Sequence, residues 1–479
     1  MPSIATTTDP LQVAVAATVT APPHIPDVAG STTPLPESVR RQINELLQYP
    51  SDVPLSVSIS PDVVARLDPN MVSELASIAT RGEFLSQPLV PLDPAAASAA
   101  NQNELFTDLL QAGEDTINTA IGARPTRTVW IEDDPLTTDG VALLRSLGVT
   151  YAVISPETYE AVGTEGGYLG AFTMPSLLRE IDLGDGIVPA AVTVPGLTRH
   201  LLDTAMAPEL AALYTAAELV AWHAWIAADF APVRGHSLVL INPDGGVLGP
   251  DRVSRLVQMA TATGVVEFSA LSQMFATAQP QRLDGNRPAR ITLAERGIEQ
   301  ATTTPNPSIP TNPSAPNRPT PGEQQPLVAP MVNLSARADS IMETLRRQVT
   351  IGGMLVDDGG RTARWQSTLQ RLMSTSVTDT QVTTTLGSLG AELTAISSGV
   401  RGPDSYTFTM NGQSTNLHPK IENRTDEPLL VLVHFSSSQD KIEFLDNDLL
   451  VELPPNDSHE ITVRVRARSN GTSTITVQV

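Results

Sequence analysis

The sequence predicts an α/β barrel, then a helical segment, then a small all-β sandwich. Three observations predict it. Up to about residue 285, short apolar runs alternate with helix-period runs. From Thr302 to Pro330 the composition turns to Pro, Asn and Thr, which cannot bury a core. Beyond about Tyr406 the apolar period falls to two residues, in LVLVHF, LLVEL, EITVRVRA and TSTITVQV. The expected domains are therefore 1–285 (barrel), 286–332 (linker), 333–400 (helical) and 401–479 (sandwich).

Element by element, Leu11–Thr20 is an apolar strand run and Pro36–Leu47 has helical spacing. Leu55–Ile59 alternates apolar residues with Ser; Pro61 stands at a helix N1 position, and the helix is expected to reach Ala79. Glu83–Leu92 is extended. Asn103–Ile121 places Leu105, Leu109, Leu110 and Ile117 on one side of a helix. The stretch 127–159 then reads strand, helix, strand: Thr128–Ile131, a helical run, and Thr150–Ser155. Parallel pairing needs such a crossover. Pro208–Phe230 is a long Ala-rich helix, and Ser237–Ile241 is apolar throughout, as in strands covered on both faces. Pro250–Thr263 and Val265–Phe268 add a last helix and strand.

Bulk properties remove several function classes. A length of 479 residues predicts two or three domains. A hydrophobic content of 41% with only 4% aromatics predicts a core of Val, Leu, Ile and Ala. A net charge of −22 argues against nucleic acid and against anionic membrane surfaces. The chain has no cysteine, which excludes thiolate metal sites, disulfides and cysteine nucleophiles. The N-terminus has no basic region or long apolar run of a signal peptide, and no 18-residue apolar run is present. Phosphate-loop, dinucleotide and nucleophile-elbow motifs are all missing.

Candidate chemistry lies at strand ends. α/β barrels keep their reactive groups where strands end. The strand at 128–131 runs into Glu132, Asp133 and Asp134, and the strand at 237–241 runs into Asn242-Pro243-Asp244-Gly245-Gly246. Glycosidases need two carboxylates flanking the bond, so Glu132, Asp133 and Asp244 are the candidate catalytic residues. Asp before Pro or Gly is also ordinary turn chemistry. The seven histidines form no H-x-x-x-H or H-E-x-x-H pair, so neither metal nor cofactor is expected. Trp222 and Trp225 are candidate sugar platforms or core residues.

The stretches ELFTDLLQAGEDTINTAIGARPTRTVWIEDDPLTTDGVALLRSLGVTYAVISPETY and HSLVLINPDGGVLGPDRVSRLVQMATATGVVEFSALSQMF resemble the middle and closing strands of the glycoside hydrolase 57/polysaccharide deacetylase superfamily. The C-terminal strands resemble the β-domain of an uncharacterised actinobacterial cell-envelope family. In that family a barrel precedes helices, an Ig-like sandwich and a membrane anchor, and the genes lie near the lipid II flippase. The resemblance implies an irregular (β/α) barrel of glycoside hydrolase/deacetylase type and an Ig-like sandwich. It also implies a place on the extracellular face of the envelope, with membrane attachment only through a segment outside this chain. The departures are specific. The first strand carries no acid and the metal-binding histidine pair is missing. The family's Glu three residues after a Trp falls here on Asp133, with Glu132 one position early. Its acid falls on Asp244. The expected function is thus a non-catalytic ectodomain binding a glycan or a cell-wall assembly protein. The alternative is a carbohydrate-active hydrolase, glycosidase or deacetylase-like, using paired carboxylates.

Overall fold

A computed structural model describes residues 9–25, 34–132, 136–156, 158–159, 178–183, 186–229, 236–280, 282–283, 287–288, 290–292, 334–404, 407–410 and 412–479. The chain divides into two compact units. One holds Met1–His24, Thr33–Ser335 and Met373–Ser376; the other holds Ile25–Thr32, Ala336–Leu372 and Val377–Val479.

The first unit is the expected barrel. In chain order it runs β1 (Leu11–Val19), α1 (Glu37–Leu47), β2 (Leu55–Ile59), α2 (Pro61–Val64), α3 (Pro69–Ala79), β3 (Glu83–Leu85), α4 (Pro94–Ala99), α5 (Asn103–Ile121), β4 (Val129–Glu132), α6 (Thr138–Ser146), β5 (Tyr151–Ile154), β6 (Arg179–Asp182), β7 (Ile187–Val192), α7 (Pro195–Leu202), α8 (Pro208–Asp229), β8 (Ser237–Leu240), α9 (Pro250–Thr261), β9 (Val266–Phe268) and α10 (Leu271–Thr277). Three short strands follow: β10 (Arg282–Leu283), β11 (Arg287–Pro288) and β12 (Arg290–Thr292).

One sheet has the order β3-β2-β1-β8, with β9 also paired to β1; the other has the order β12-β6-β7-β5-β4. All pairings in the first sheet are parallel, as are β4 with β5 and β5 with β7. A parallel bridge from Leu85 to Thr126 joins the sheets at β3, and β7 lies beside β8. Strand parity sorts the residues. Ala14, Ala16, Leu85, Val129, Val153, Ala191 and Val239 share the interior cluster, while Val13, Val15, Val57, Leu238 and Leu240 face the helices. Leu271, Met274 and Phe275 of α10 join the interior cluster. Phe275 stacks on Tyr151, the first residue of β5, at 4.7 Å, and Ser56 Oγ accepts from Leu271 N at 2.9 Å. α10 therefore plugs the amino end of the barrel.

The helix expected from Pro61 to Ala79 is two helices. Asp68 stops the first by capping a second, accepting from Asn70 N and Met71 N at 3.0 Å, with Pro69 at N1. The extended run expected over 83–92 is a strand only at Glu83–Leu85, because the prolines beyond it supply no ladder donors. The long helix α8 packs Ala212, Ala216, Leu219 and Ile226 on the core, while Leu210, Leu213, Tyr214 and Trp225 are exposed. It is the one described helix long and apolar enough to cross a membrane by length and composition.

In the second unit three helices, α11 (Ser335–Gly352), α12 (Arg361–Leu372) and α13 (Asp379–Ser398), precede short strands β13 (Val400–Arg401), β14 (Ser414–Leu417), β15 (Lys420–Asn423), β16 (Leu429–Ser437), β17 (Ile442–Phe444), β18 (Asp448–Leu453), β19 (Asp457–Glu460), β20 (Val463–Ala467) and β21 (Ile475–Gln478). The strands form three three-stranded antiparallel sheets. Buried Arg337 ties the helices together, donating to Val377 O at 3.1 Å and Asp379 Oδ1 at 2.6 Å. Leu430 N donates to Met354 O at 2.7 Å, joining β16 to the end of α11. The linker expected at 286–332 falls almost wholly outside the described residues.

Candidate functional site

The carboxyl ends of β1, β2 and β8 gather polar groups. β8 ends in the turn Asn242-Pro243-Asp244-Gly245-Gly246. Asn242 shapes it, its Oδ1 accepting from Asp244 N at 3.2 Å and its backbone oxygen from Gly245 N at 3.0 Å. Gly245 and Gly246 have φ of 76° and 94°, which a β-carbon would strain, and a β-carbon on Gly246 would strike Gln42 at 2.6 Å. The turn is strapped to β1: Gly246 N donates to Thr18 O at 2.7 Å and to Thr18 Oγ1 at 3.2 Å, and Thr18 N returns a bond to Gly246 O at 3.2 Å. Tyr49 pins the following loop by donating to Leu248 O at 2.6 Å. Burial, reinforced by the Glu45 carboxylate, raises the Tyr49 pKa and keeps the phenol a donor. Asp244 is thereby presented, exposed, at the carboxyl end of the barrel.

Next to β1, the end of β2 carries Ser60, Asp62 and Arg66. Asp62 is 1% exposed. Its Oδ2 accepts from His24 N at 3.1 Å and lies 3.1 Å from Arg66 Nη2. His24 comes from the chain just past β1, so a backbone N–H from beyond β1 reaches the ion-paired carboxylate that follows the adjacent strand β2. The Ser60 hydroxyl is buried and has no hydrogen-bond partner among the described residues.

Glu132 is placed differently. Val129 and Ile131 pack on the barrel interior. Trp130 and Glu132, one residue out of step, face the helices. Trp130 packs on Phe106 of α5, and its Nε1 donates to Glu132 Oε2 at 3.0 Å. Glu132 is 4% exposed and accepts from the indole on the face of β4 that Trp130 shares. Asp133 lies outside the described residues. The His24, Ser60, Asp62 and Arg66 group escaped sequence reading because its parts are some forty residues apart. The one local signal was Pro61-Asp62 opening a helix directly after a strand. Among the described residues no group of His and acids has the arrangement of a metal site. Trp222 packs on the core and Trp225 is exposed, the two rings 5.3 Å apart edge to face.

Compared with known proteins, the chain matches no family model and no curated protein. Among solved structures it is similar to an α-amylase from Thermotoga maritima, with a TM-score of 0.47 and 9% identity over 80% of this chain and 92% of that one. It is also similar to a GH57-type branching enzyme from Pyrococcus horikoshii, with a TM-score of 0.44 and 10% identity over 81% of this chain and 87% of that one. A third is the 4-α-glucanotransferase of Thermococcus litoralis, with a TM-score of 0.42 and 11% identity, of which this chain spans 42% of the length. At such identity and score the likeness assigns no residue and no substrate. All three are nevertheless enzymes by name, where a non-catalytic ectodomain was expected from the sequence. That expectation is set aside on this finding.

Proposed function

We propose that the barrel is a carbohydrate-active hydrolase domain working at the carboxyl end of its strands. The observation that carries this reading is the strapped turn after β8, which presents an exposed carboxylate, Asp244, at the carboxyl end of the strands while α10 plugs the other end. Asp244 is the general acid. Its partner is Asp133, the residue that follows Glu132 at the end of β4. With Glu132 on the outer face of that strand, its role is to hold Trp130, not to touch sugar. Two carboxylates and a water suffice for glycoside hydrolysis without a metal. The buried Asp62–Arg66 pair supports the floor of the site by fixing the chain after β1 through His24 N.

The C-terminal unit is, in the same proposal, an Ig-like sandwich, and the protein acts on a glycan at the extracellular face of an actinobacterial envelope. The resemblance of the sequence supports that placement. Protease accessibility on intact cells tests it: protection from added protease would place the barrel inside and remove the envelope reading.

The catalytic reading is tested by reducing-end release from a panel of oligosaccharides, with acetate release from N-acetylated glycans run alongside. Asp244→Asn is expected to lower turnover roughly 10²–10⁴-fold, the usual contribution of a positioned acid or base. Full turnover in that variant would take Asp244 out of the mechanism.

A further inference from the structure

We infer that the side-chain amides of Gln42 and Asn242 bind sugar hydroxyls beside Asp244, and that Gln42 is a substrate-positioning residue. The inference deepens the hydrolase reading above and rests on it. The ligand is a neutral, hydroxyl-bearing sugar unit next to the bond that Asp244 protonates.

The two amides meet at the turn after β8. Asn242 Oδ1 accepts from Asp244 N at 3.2 Å, which fixes its carboxamide one hydrogen bond from the acid's backbone. Asn242 Nδ2 lies 3.6 Å from the point where a Gly246 β-carbon would stand. Gln42 Nε2 lies 2.6 Å from that same point, and Gln42 Cδ 3.2 Å. Two amides from distant parts of the chain thus converge on Gly246, the second residue after Asp244. A side chain at position 246 would take the space that Gln42 occupies.

Neither amide nitrogen is committed. Among the described residues the Gln42 side chain makes no hydrogen bond, and Asn242 bonds only through its oxygens. Both residues are half-buried. α1 is held without them: Val39, Ile43 and Leu46 pack on the core, and Tyr49 ties the chain beyond the helix to Leu248 O. An apolar side chain at position 42 would cover the glycine turn as well. A carboxamide adds two N–H donors and an acceptor oxygen, which suit hydroxyls that both donate and accept. Its neutrality also fits the chemistry. A cation there would lower the pKa of Asp244, and a general acid must hold its proton. A sugar lacking the matching hydroxyl would leave these partly desolvated groups unpaired, so the pair selects as well as binds.

The test uses the full chain, with maltotriose and tri-N-acetylchitotriose as probes. Gln42→Met keeps the length of the side chain and removes its donors and acceptor. It is expected to raise KM about three- to tenfold with kcat little changed, the loss of a hydrogen bond made equally in ground and transition states. Gln42→Glu sets a second carboxylate beside the acid and is expected to shift the alkaline limb of the pH–rate profile upward, because a like charge raises the pKa of Asp244. Met and Glu are both good helix formers, so α1 is kept. An unchanged KM in Gln42→Met makes Gln42 a packing residue and overturns the inference. Where Asp244→Asn has abolished turnover, an unshifted limb in Gln42→Glu puts the side chain away from the acid and overturns it too. Full turnover in Asp244→Asn instead removes the acid assignment alone. Calorimetric affinity for the two probes then decides the sugar contact: binding about three- to tenfold weaker in Gln42→Met than in wild type upholds it, and equal binding, or none by wild type, overturns it.

Discussion

Glu114 offers the sharpest test of how the barrel is held together. It sits on the inner side of α5, 1% exposed. Arg127, just before β4, grips it with two bonds, Nε to Oε1 at 2.5 Å and Nη2 to Oε2 at 2.9 Å, and Ser86 Oγ adds a third at 2.8 Å. Burial by itself raises the carboxyl pKa. The hydrogen bonds from Arg127 and Ser86 and the charges of Arg127 and Arg124 outweigh it, so the net shift is downward. Glu114→Gln keeps the shape and removes the charge. Breaking a buried pair from one side costs about 3–5 kcal/mol. Arg127 is 26% exposed and can turn partly to water, so we expect about 3 kcal/mol, the lower end. The sign with pH follows from the lowered pKa: the stabilisation is complete above the unfolded value and is lost as pH falls through the folded one. The gap between wild type and Glu114→Gln should therefore be widest near neutrality and close in acid. Hydrogen exchange of α5 and β4 amides in graded urea, at neutral pH and in steps into acid, measures it locally, which suits a chain of two units. A gap within about 0.5 kcal/mol at neutral pH, or a gap unchanged in acid, would refute the reasoning; such a small effect is the ordinary surface level.

Gly113→Ala should destabilise the barrel unit by about 1–3 kcal/mol in thermal unfolding, against the helix-propensity gain of about 1 kcal/mol, because its β-carbon would lie 2.1 Å from Gln87 O. Thr378→Ala removes a complete capping box from α13 and should cost about 1 kcal/mol in the second unit, read by urea unfolding. Burial, with the neighbouring charge of His223, lowers the pKa of His236. The stability it permits is complete above the unfolded histidine value and falls as pH drops below it, so His236→Phe should flatten the unfolding midpoint against pH between about 7 and 5. An unchanged slope would clear His236 of that role.

Much of the barrel was legible because one-face burial leaves a period in the sequence. β1, α5, β8 and α9 begin where their apolar patterns begin. The break between α2 and α3 was also written, in Asp68-Pro69, but a continuous apolar spacing on either side hid it. The site was harder. Asp244 is visible as an acid after a strand, whereas its strap to Thr18 joins residues more than two hundred apart. Parity separates Glu132 from the interior: it is two residues from Trp130 and shares that residue's face, which the acid triplet alone does not reveal. The pairing of His24 with Asp62 depends on β1 lying beside β2, a fact of topology rather than of local pattern.

The central claim, that Asp133 and Asp244 act together on a glycan, is tested most directly by the separation of their carboxyl groups in a crystal structure with a bound oligosaccharide. The account predicts a sugar bond between them and a separation of about 5–5.5 Å for a retaining enzyme or about 6.5–9.5 Å for an inverting one. Carboxyl groups clearly farther apart than that, or a sugar bound away from the Asp244 turn, would contradict it.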